Sequence, residues 1–179
     1  DLADPAAGAR AYAGAHIPRA QLMHLDSAHA APPDGSNGRH PLPSPQAFAD
    51  KLSRAGVDAA KQAVAYDASG GMYAARLWWM LRWLGHDAVA VLDGGWNQWV
   101  AEQRPQTRAP AEPRPARFVA KPQPLAVDVT RVARVVQAGT MQIVDARGAD
   151  RFRGDNETLD PVGGHIPGAV NRPFRDNLD

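Results

Sequence analysis

Short apolar runs alternate along this chain with longer stretches in which apolar residues return every three or four positions, and Gly, Pro, Ser or Asp marks each change of period. The short runs predict strands at 64–66, 88–92 and 141–144, with briefer candidates at 21–25 and 169–171. Helical spacing begins at Pro45, where Ser44 supplies an N-cap and the proline a preset first turn; Ala47, Phe48 and Leu52 form one apolar stripe before Gly56. Further helices are predicted over 72–84 with Gly85 as the stop, from about residue 96, and after the cap Asp128 up to Gly139. Strands alternating with helices predict an α/β fold in which a parallel sheet carries helices on both faces.

The pattern occurs twice. "YAGAHIPRA" at 12–20 returns as "VGGHIPGAV" at 162–170, which puts His16 and His165 149 residues apart. That step is too long for a solenoid repeat and suits two copies of one domain. Between the copies, Pro105, Pro110, Pro113, Pro115, Pro122 and Pro124 stand among scattered Arg and Glu, which predicts an extended linker and not a core segment. The expected organisation is a first domain over 1–104, a Pro-rich linker over 105–124 and a second domain over 125–179. Asp145, at the end of "IVDAR", stands twenty residues before His165, whereas fifteen residues precede His16, so the first copy's matching strand is expected ahead of residue 1. The second copy breaks off where its own long helix should start, and the chain is expected to be part of a larger protein. A half-domain of this kind should leave an apolar sheet face and an open edge uncovered from Asp128 onward.

Composition narrows the function classes. A net charge of +1 creates no field to attract nucleic acid, and the longest apolar segment, 72–84, is interrupted by Arg76 and Arg82, so neither nucleic acid nor a membrane is an expected partner. There is no cysteine, which excludes disulfides, thiolate metal sites and a thiol nucleophile within these residues.

The candidate chemistry lies in "VAYDASGGMYAARLWWML" at 64–81. A buried strand, a turn made of Asp67, Ala68, Ser69, Gly70 and Gly71, and then a long helix aim several N–H groups and a positive helix end at one point, which suits an anion. Yet a carboxylate stands at the mouth. The residues read Asp67 as an acceptor tying down its own loop, since a bound oxyanion would have to overcome its charge. Met72 stands where a phosphate loop needs lysine, and neither Gly70-Gly71 nor Gly94-Gly95 belongs to a G-x-G-x-x-G run, so a nucleotide-binding domain is poorly supported.

Trp78, Trp79, Trp83, Trp96 and Trp99 are expected to pack between the long helix and the one after "DGG". The six histidines show no paired metal spacing, and His16 and His165 are expected to shape equivalent turns before proline. Arg147 follows Asp145 at a strand end, with Arg151 and Arg153 in the loop beyond, where parallel sheets place ligand-binding residues. Guanidinium groups there suit a small anion; the plainer alternative is surface pairing with Asp150, Asp155 or Glu157.

Taken together, "AYAGAHIPRA", "VAYDASGGMYAARLWWMLRWLGHDAVAVLDGGW", "IVDARGADRFRG" and "GGHIPGAVNRPF" resemble the two-domain rhodanese family, sulfurtransferases of the thiosulfate and 3-mercaptopyruvate types. The resemblance implies tandem rhodanese-like domains, a first that has lost catalysis and a second, truncated here, that keeps it. In the active copy a loop cysteine takes a sulfane sulfur as a persulfide and passes it to cyanide or a thiol, with no metal or cofactor. Asp67 falls where that cysteine would fall, so Asp67, Ala68, Ser69, Gly70 and Gly71 form the silent counterpart of the catalytic loop. Stepping 51 residues on from His165, the distance from His16 to Asp67, puts the active cysteine near roughly residue 216, beyond Asp179. By the same resemblance Arg151 contacts the anionic donor, thiosulfate or 3-mercaptopyruvate, with Arg147 beside it and Asp145 orienting the loop. The expected compartment is the cytoplasm. The competing expectation is a non-catalytic rhodanese-like module that binds a partner or a small oxyanion.

Overall fold

A computed structural model describes residues 4–177, which divide after Leu125 into two units. In the first unit, helix α1 (Ala7–Gly14) is followed by a short π-helical turn (Leu25–His29), helix α2 (Pro45–Arg54), strand β1 (Ala63–Ala65), helix α3 (Met72–Trp83), strand β2 (Val89–Val91) and helix α4 (Gly95–Ala101). β1 and β2 pair in parallel, Ala63 with Val89 and Ala65 with Val91. The predicted strand at 21–25 does not form. Residues 21–24 form no ladder with any described segment, and from His24, whose backbone is extended, the chain winds into the π-helical turn.

α2 starts as its sequence dictates. Ser44 Oγ accepts the Ala47 N–H at 3.2 Å and Pro45 occupies the first turn. The stripe is Phe48, Ala49 and Leu52, with Ala47 left exposed, and it packs on Met80, Leu81, Trp83 and Leu84 of α3 and its C-terminal turn. The tryptophans do not form one layer. Trp83 enters this core with Trp79 stacked on it at 6.1 Å, whereas Trp96 stacks on Tyr66 and Trp99 donates its indole N–H to Pro105 O.

The Pro-rich stretch is not a free tether. Its prolines forbid a helix or central strand of its own, and three of its N–H groups go to carbonyls where α2 and α3 end. Ala116 donates to Ser53 O, Lys121 to Leu84 O and Gln123 to Trp83 O, at 2.9, 2.9 and 2.7 Å. Phe118 is thereby drawn into the core, with its N–H on Ser53 Oγ. Gly56 and Gly85 make this close passage possible: both have positive φ, and a Cβ on either would stand 2.8 or 2.7 Å from the carbonyl oxygen of Arg114 or Lys121. At the other end of the segment Thr107 exchanges two backbone hydrogen bonds with His16.

The second unit holds helix α5 (Val129–Ala138), strand β3 (Val144–Asp145), helix α6 (Ala149–Arg153), strand β4 (Val170–Asn171) and a 3-10 turn (Phe174–Asn177). Asp128 caps α5 through the Arg131 N–H at 2.7 Å and Gly139 ends it with φ +59°. β3 and β4 pair in parallel, Val144 with Val170. None of its described residues is buried, and Val129, Met141, Val162 and Val170 are among its exposed apolar side chains. Arg151 and Arg153, placed in a loop by the sequence, lie on α6.

Candidate functional site

The junction of β1 and α3 closes around one carboxylate. Asp67 Oδ1 accepts the N–H groups of Ser69 and Gly71 at 2.7 and 2.9 Å, and Oδ2 accepts those of Tyr73 and Ala74, both at 2.8 Å. Gly70 and Gly71 hold φ +72° and +87°, which a side chain disfavours, and this folds the loop back so that its N–H groups and those of the first turn of α3 converge. α3 has no capping side chain at Gly71 itself; Asp67, four residues earlier, takes the orphan donors instead. Behind the loop, Asp67 O accepts the Trp96 N–H at 2.8 Å, an approach open because Gly95 has no side chain: a Cβ there would stand 2.5 Å from that oxygen. The cradle that sequence reading offered to an anion therefore already holds one, and it is covalently part of the chain. Ala68 adds no donor to this set.

In the second unit the expected site residues come together around strand β3. Arg147 lies against Asp145, with Nε at 3.0 Å from Oδ1 and Nη2 at 2.6 Å from Oδ2, and Nη2 also reaches Gly164 O at 2.5 Å. Arg151 forks onto Glu157, Nε and Nη2 reaching Oε2 at 3.0 and 2.8 Å, and Nη2 also donates to Asp160 at 2.8 Å. The hydrogen bond from Arg147 holds the Asp145 carboxyl below its ordinary pKa, and the reciprocal contact raises that of Arg147. Glu157 is lowered to about 2, first by the hydrogen bond from Arg151 and then by the N–H groups of Leu159 and Asp160. Arg153 pairs with Asp155 at 2.7 Å. Both guanidinium groups of interest are thus oriented by carboxylates, while Arg151 Nη1 keeps its donors free of any described partner.

Two holding residues escape a reading of the sequence. Asp160 completes the Arg151 clamp, and Asn171 Nδ2 ties down the strand end by donating to Asp145 O and Arg147 O at 3.0 and 2.9 Å. Both lie in stretches without periodicity, so only their closeness in space marks them. The two His-Ile-Pro turns are built alike, as their shared sequence predicts. His16 stacks on Tyr12 and His165 on Phe152, each at 3.7 Å between ring centres, and each Nδ1 lies 2.7 Å from the carbonyl oxygen of its stacking partner. The aromatic partner stands four residues before the first histidine and thirteen before the second, which hides the correspondence from motif matching.

Parallel β-pairs flanked by helices, matched His-Ile-Pro turns and a strand-to-helix cradle define an α/β protein of rhodanese-like architecture. The chain belongs to the rhodanese family: the model of the rhodanese-like domain matches residues 1–102. It is 44% identical over 181 residues to the probable 3-mercaptopyruvate sulfurtransferase of Pseudomonas aeruginosa, covering 99% of this chain and 63% of that protein. It is 39% identical over 164 residues to the thiosulfate sulfurtransferase of Gallus gallus, covering 89% and 55%. Among solved structures, SseA from Escherichia coli, described as a 3-mercaptopyruvate sulfotransferase, matches with a TM-score of 0.81 at 35% identity over 93% of this chain and 62% of that one. The chain therefore spans less than two thirds of the length of these relatives. No helix among the described residues is long and apolar enough to cross a membrane.

Proposed function

We propose that this chain is part of a two-domain sulfurtransferase: a non-catalytic rhodanese domain over 1–104, a Pro-rich connecting segment over 105–124 and the start of a catalytic domain over 125–179. The whole protein moves a sulfane sulfur from thiosulfate or 3-mercaptopyruvate to cyanide or a thiol. A cysteine thiolate attacks the outer sulfur of thiosulfate or the single sulfur of 3-mercaptopyruvate; the S–S or C–S bond breaks, its electron pair leaves with sulfite or with the enolate of pyruvate, the enolate takes up the proton of the former thiol, and a persulfide remains. The acceptor then attacks the outer sulfur and the thiolate leaves. That cysteine lies outside these residues, which contain none.

The observation carrying this reading is the saturation of the first cradle by Asp67. A loop of N–H groups at a helix N-terminus favours a thiolate or persulfide over its neutral form, and here a carboxylate accepts the same hydrogen bonds without being able to carry sulfur. Arg151 is the residue proposed to meet the anionic donor through its free Nη1 edge, with Arg147 beside it and Asp145 orienting the loop. The proposed compartment is the cytoplasm. A second reading, a rhodanese-like binding module, is favoured by the same filled cradle if the second domain's loop is filled as well.

The test is thiocyanate formation from thiosulfate and cyanide, measured on this chain and on the protein continued through its second domain. The continued protein should turn over and this chain should not. Turnover by these 179 residues would contradict the assignment, and a continued protein that is silent with thiosulfate and with 3-mercaptopyruvate would leave the binding module.

A further inference from the structure

Of the five asparagines in the chain, Asn37 alone precedes a glycine; the others precede Gln98, Glu157, Arg172 and Leu178. Such a pair sets a side-chain amide next to a main-chain nitrogen that no side chain crowds. Asn37 and Gly38 lie in the exposed loop 32–39, between the π-helical turn and α2 and outside the Asp67 cradle. Gly38 holds φ +83°, a Cβ on it would meet nothing within 4 Å, and its N–H finds no acceptor among the described residues. The nitrogen is therefore open to base from solvent.

The loop restrains the other reactant. Asn37 Oδ1 accepts the Asp34 N–H at 2.9 Å and Nδ2 donates to Pro32 O at 3.2 Å, which turns the amide back toward residues 32–34. Asp34 Oδ1 closes the turn by accepting the N–H groups of Ser36 and Asn37 at 2.8 and 3.0 Å and the Ser36 hydroxyl at 2.8 Å. Attack on Asn37 Cγ requires both side-chain bonds to break first, so the turn acts as a brake on any reaction there.

We propose that Asn37 is a deamidation site, converted to aspartate and isoaspartate through Gly38, with the Asp34 turn setting the rate. Base takes the Gly38 amide proton and the nitrogen attacks Asn37 Cγ. The new N–Cγ bond forms, the Cγ–Nδ2 bond breaks with its electron pair, and ammonia leaves after taking a proton from water. Water then opens the cyclic imide: opening at Cγ leaves aspartate, and opening at the main-chain carbonyl leaves isoaspartate, whose backbone runs through the former side chain. Nothing is oxidised or reduced, and water is the one co-reactant consumed. Either product adds a negative charge near Asp34 and removes the donor that faced Pro32 O, so the loop cannot close as before and the change is one-way.

The test is incubation of the 179-residue chain at mildly alkaline pH, native and in denaturant, followed by tandem mass spectrometry of the tryptic peptide 20–39, released by cleavage after Arg19 and Arg39. Exchange of an amide for a hydroxyl should appear at Asn37, as aspartate and isoaspartate together, well before it appears at Asn97, Asn156, Asn171 or Asn177. Isomerisation of Asp34 through Gly35 leaves the mass unchanged and does not interfere. The native chain should react roughly tenfold more slowly than the denatured one, because two hydrogen bonds must be given up, and Asp34→Ala should recover most of that difference. Asn37→Gln, whose longer side chain closes its ring poorly, should leave the mass of the peptide unchanged over the same period. An Asn37 amide that survives as long as the other four, aspartate as the sole product, or a mass change that persists in Asn37→Gln would overturn the site and its route through Gly38. Equal rates in the native and denatured chain, or an unchanged rate in Asp34→Ala, would overturn control by the turn.

Discussion

The two units start from the same plan and end in different physical states. The first buries Phe48, Leu52, Met80, Leu81 and Leu84 almost completely and closes its helix ends with the Pro-rich segment. The second has the same turn and a parallel pair of its own, yet it buries no described residue and is held by the charged mesh of Asp145, Arg147, Arg151, Glu157 and Asp160. Apolar burial dominates stability and cooperates across a core, whereas partly buried ion pairs lose much of their attraction to desolvation. Shared motifs therefore specify local geometry without guaranteeing that a unit is stable in isolation.

The largest effect that separates the units is core truncation. Phe48→Ala should cost about 3–5 kcal/mol of first-unit stability, whereas Val135→Ala in α5 should change stability by no more than about 0.5 kcal/mol. Urea unfolding followed by tryptophan fluorescence reports the first, since all five tryptophans precede residue 100, and backbone amide spectra report the second.

Acid should sharpen the contrast. His29 is buried, and burial, then the nearby Arg76 and Lys51, lower its pKa from 6.5 to about 4. The unfolded chain binds the extra proton first, so first-unit stability is full above the unfolded pKa. It declines as pH falls from about 6.5 toward 4, by about 3 kcal/mol in all. His29→Gln should remove that slope whatever it does to absolute stability. Glu157 behaves in the opposite region: its depressed pKa supports the second unit above about 4.5 and is lost only as pH falls toward 2. A pH series of thermal melts with residue-resolved amide spectra should show the first unit weakening before the Glu157 clamp opens.

A smaller loss should follow removal of the internal anion. Asp67→Ala leaves the Ser69, Gly71, Tyr73 and Ala74 donors without their acceptor and should cost about 1–3 kcal/mol, since solvent reaches part of the loop. Sulfate should recover part of that loss in the variant and stabilise the parent chain no more than an equal ionic strength of chloride does.

Much of this was legible before any coordinates. The cap at Ser44, the stop at Gly85, the cap at Asp128 and the strand at 64–66 all appear within a residue or so of expectation, because each rests on a local chemical preference. Two things were not. Segment 21–25 has strand composition but no neighbour to pair with, and strand formation depends on the partner as much as on the residue. The Pro-rich stretch looked like a tether because proline excludes regular structure, but carbonyls with acceptor capacity to spare at two helix ends gave its N–H groups a reason to dock. At the site, Asp67 as its own loop's acceptor followed from residue type and position. The Glu157 and Asp160 clamp on Arg151 depends on how the 154–164 loop folds back, where Gly154 and Gly164 come close enough that a Cβ on Gly154 would lie 3.1 Å from Gly164 N.

The central claim is that the first cradle is occupied from within. Titrating thiosulfate into the ¹⁵N-labelled chain while following the amides of Ser69, Gly71, Tyr73 and Ala74 tests it most directly. The account predicts that these four resonances stay in place up to tens of millimolar thiosulfate in the parent chain and move in Asp67→Ala. Saturable shifts of the same four amides in the parent chain would contradict it.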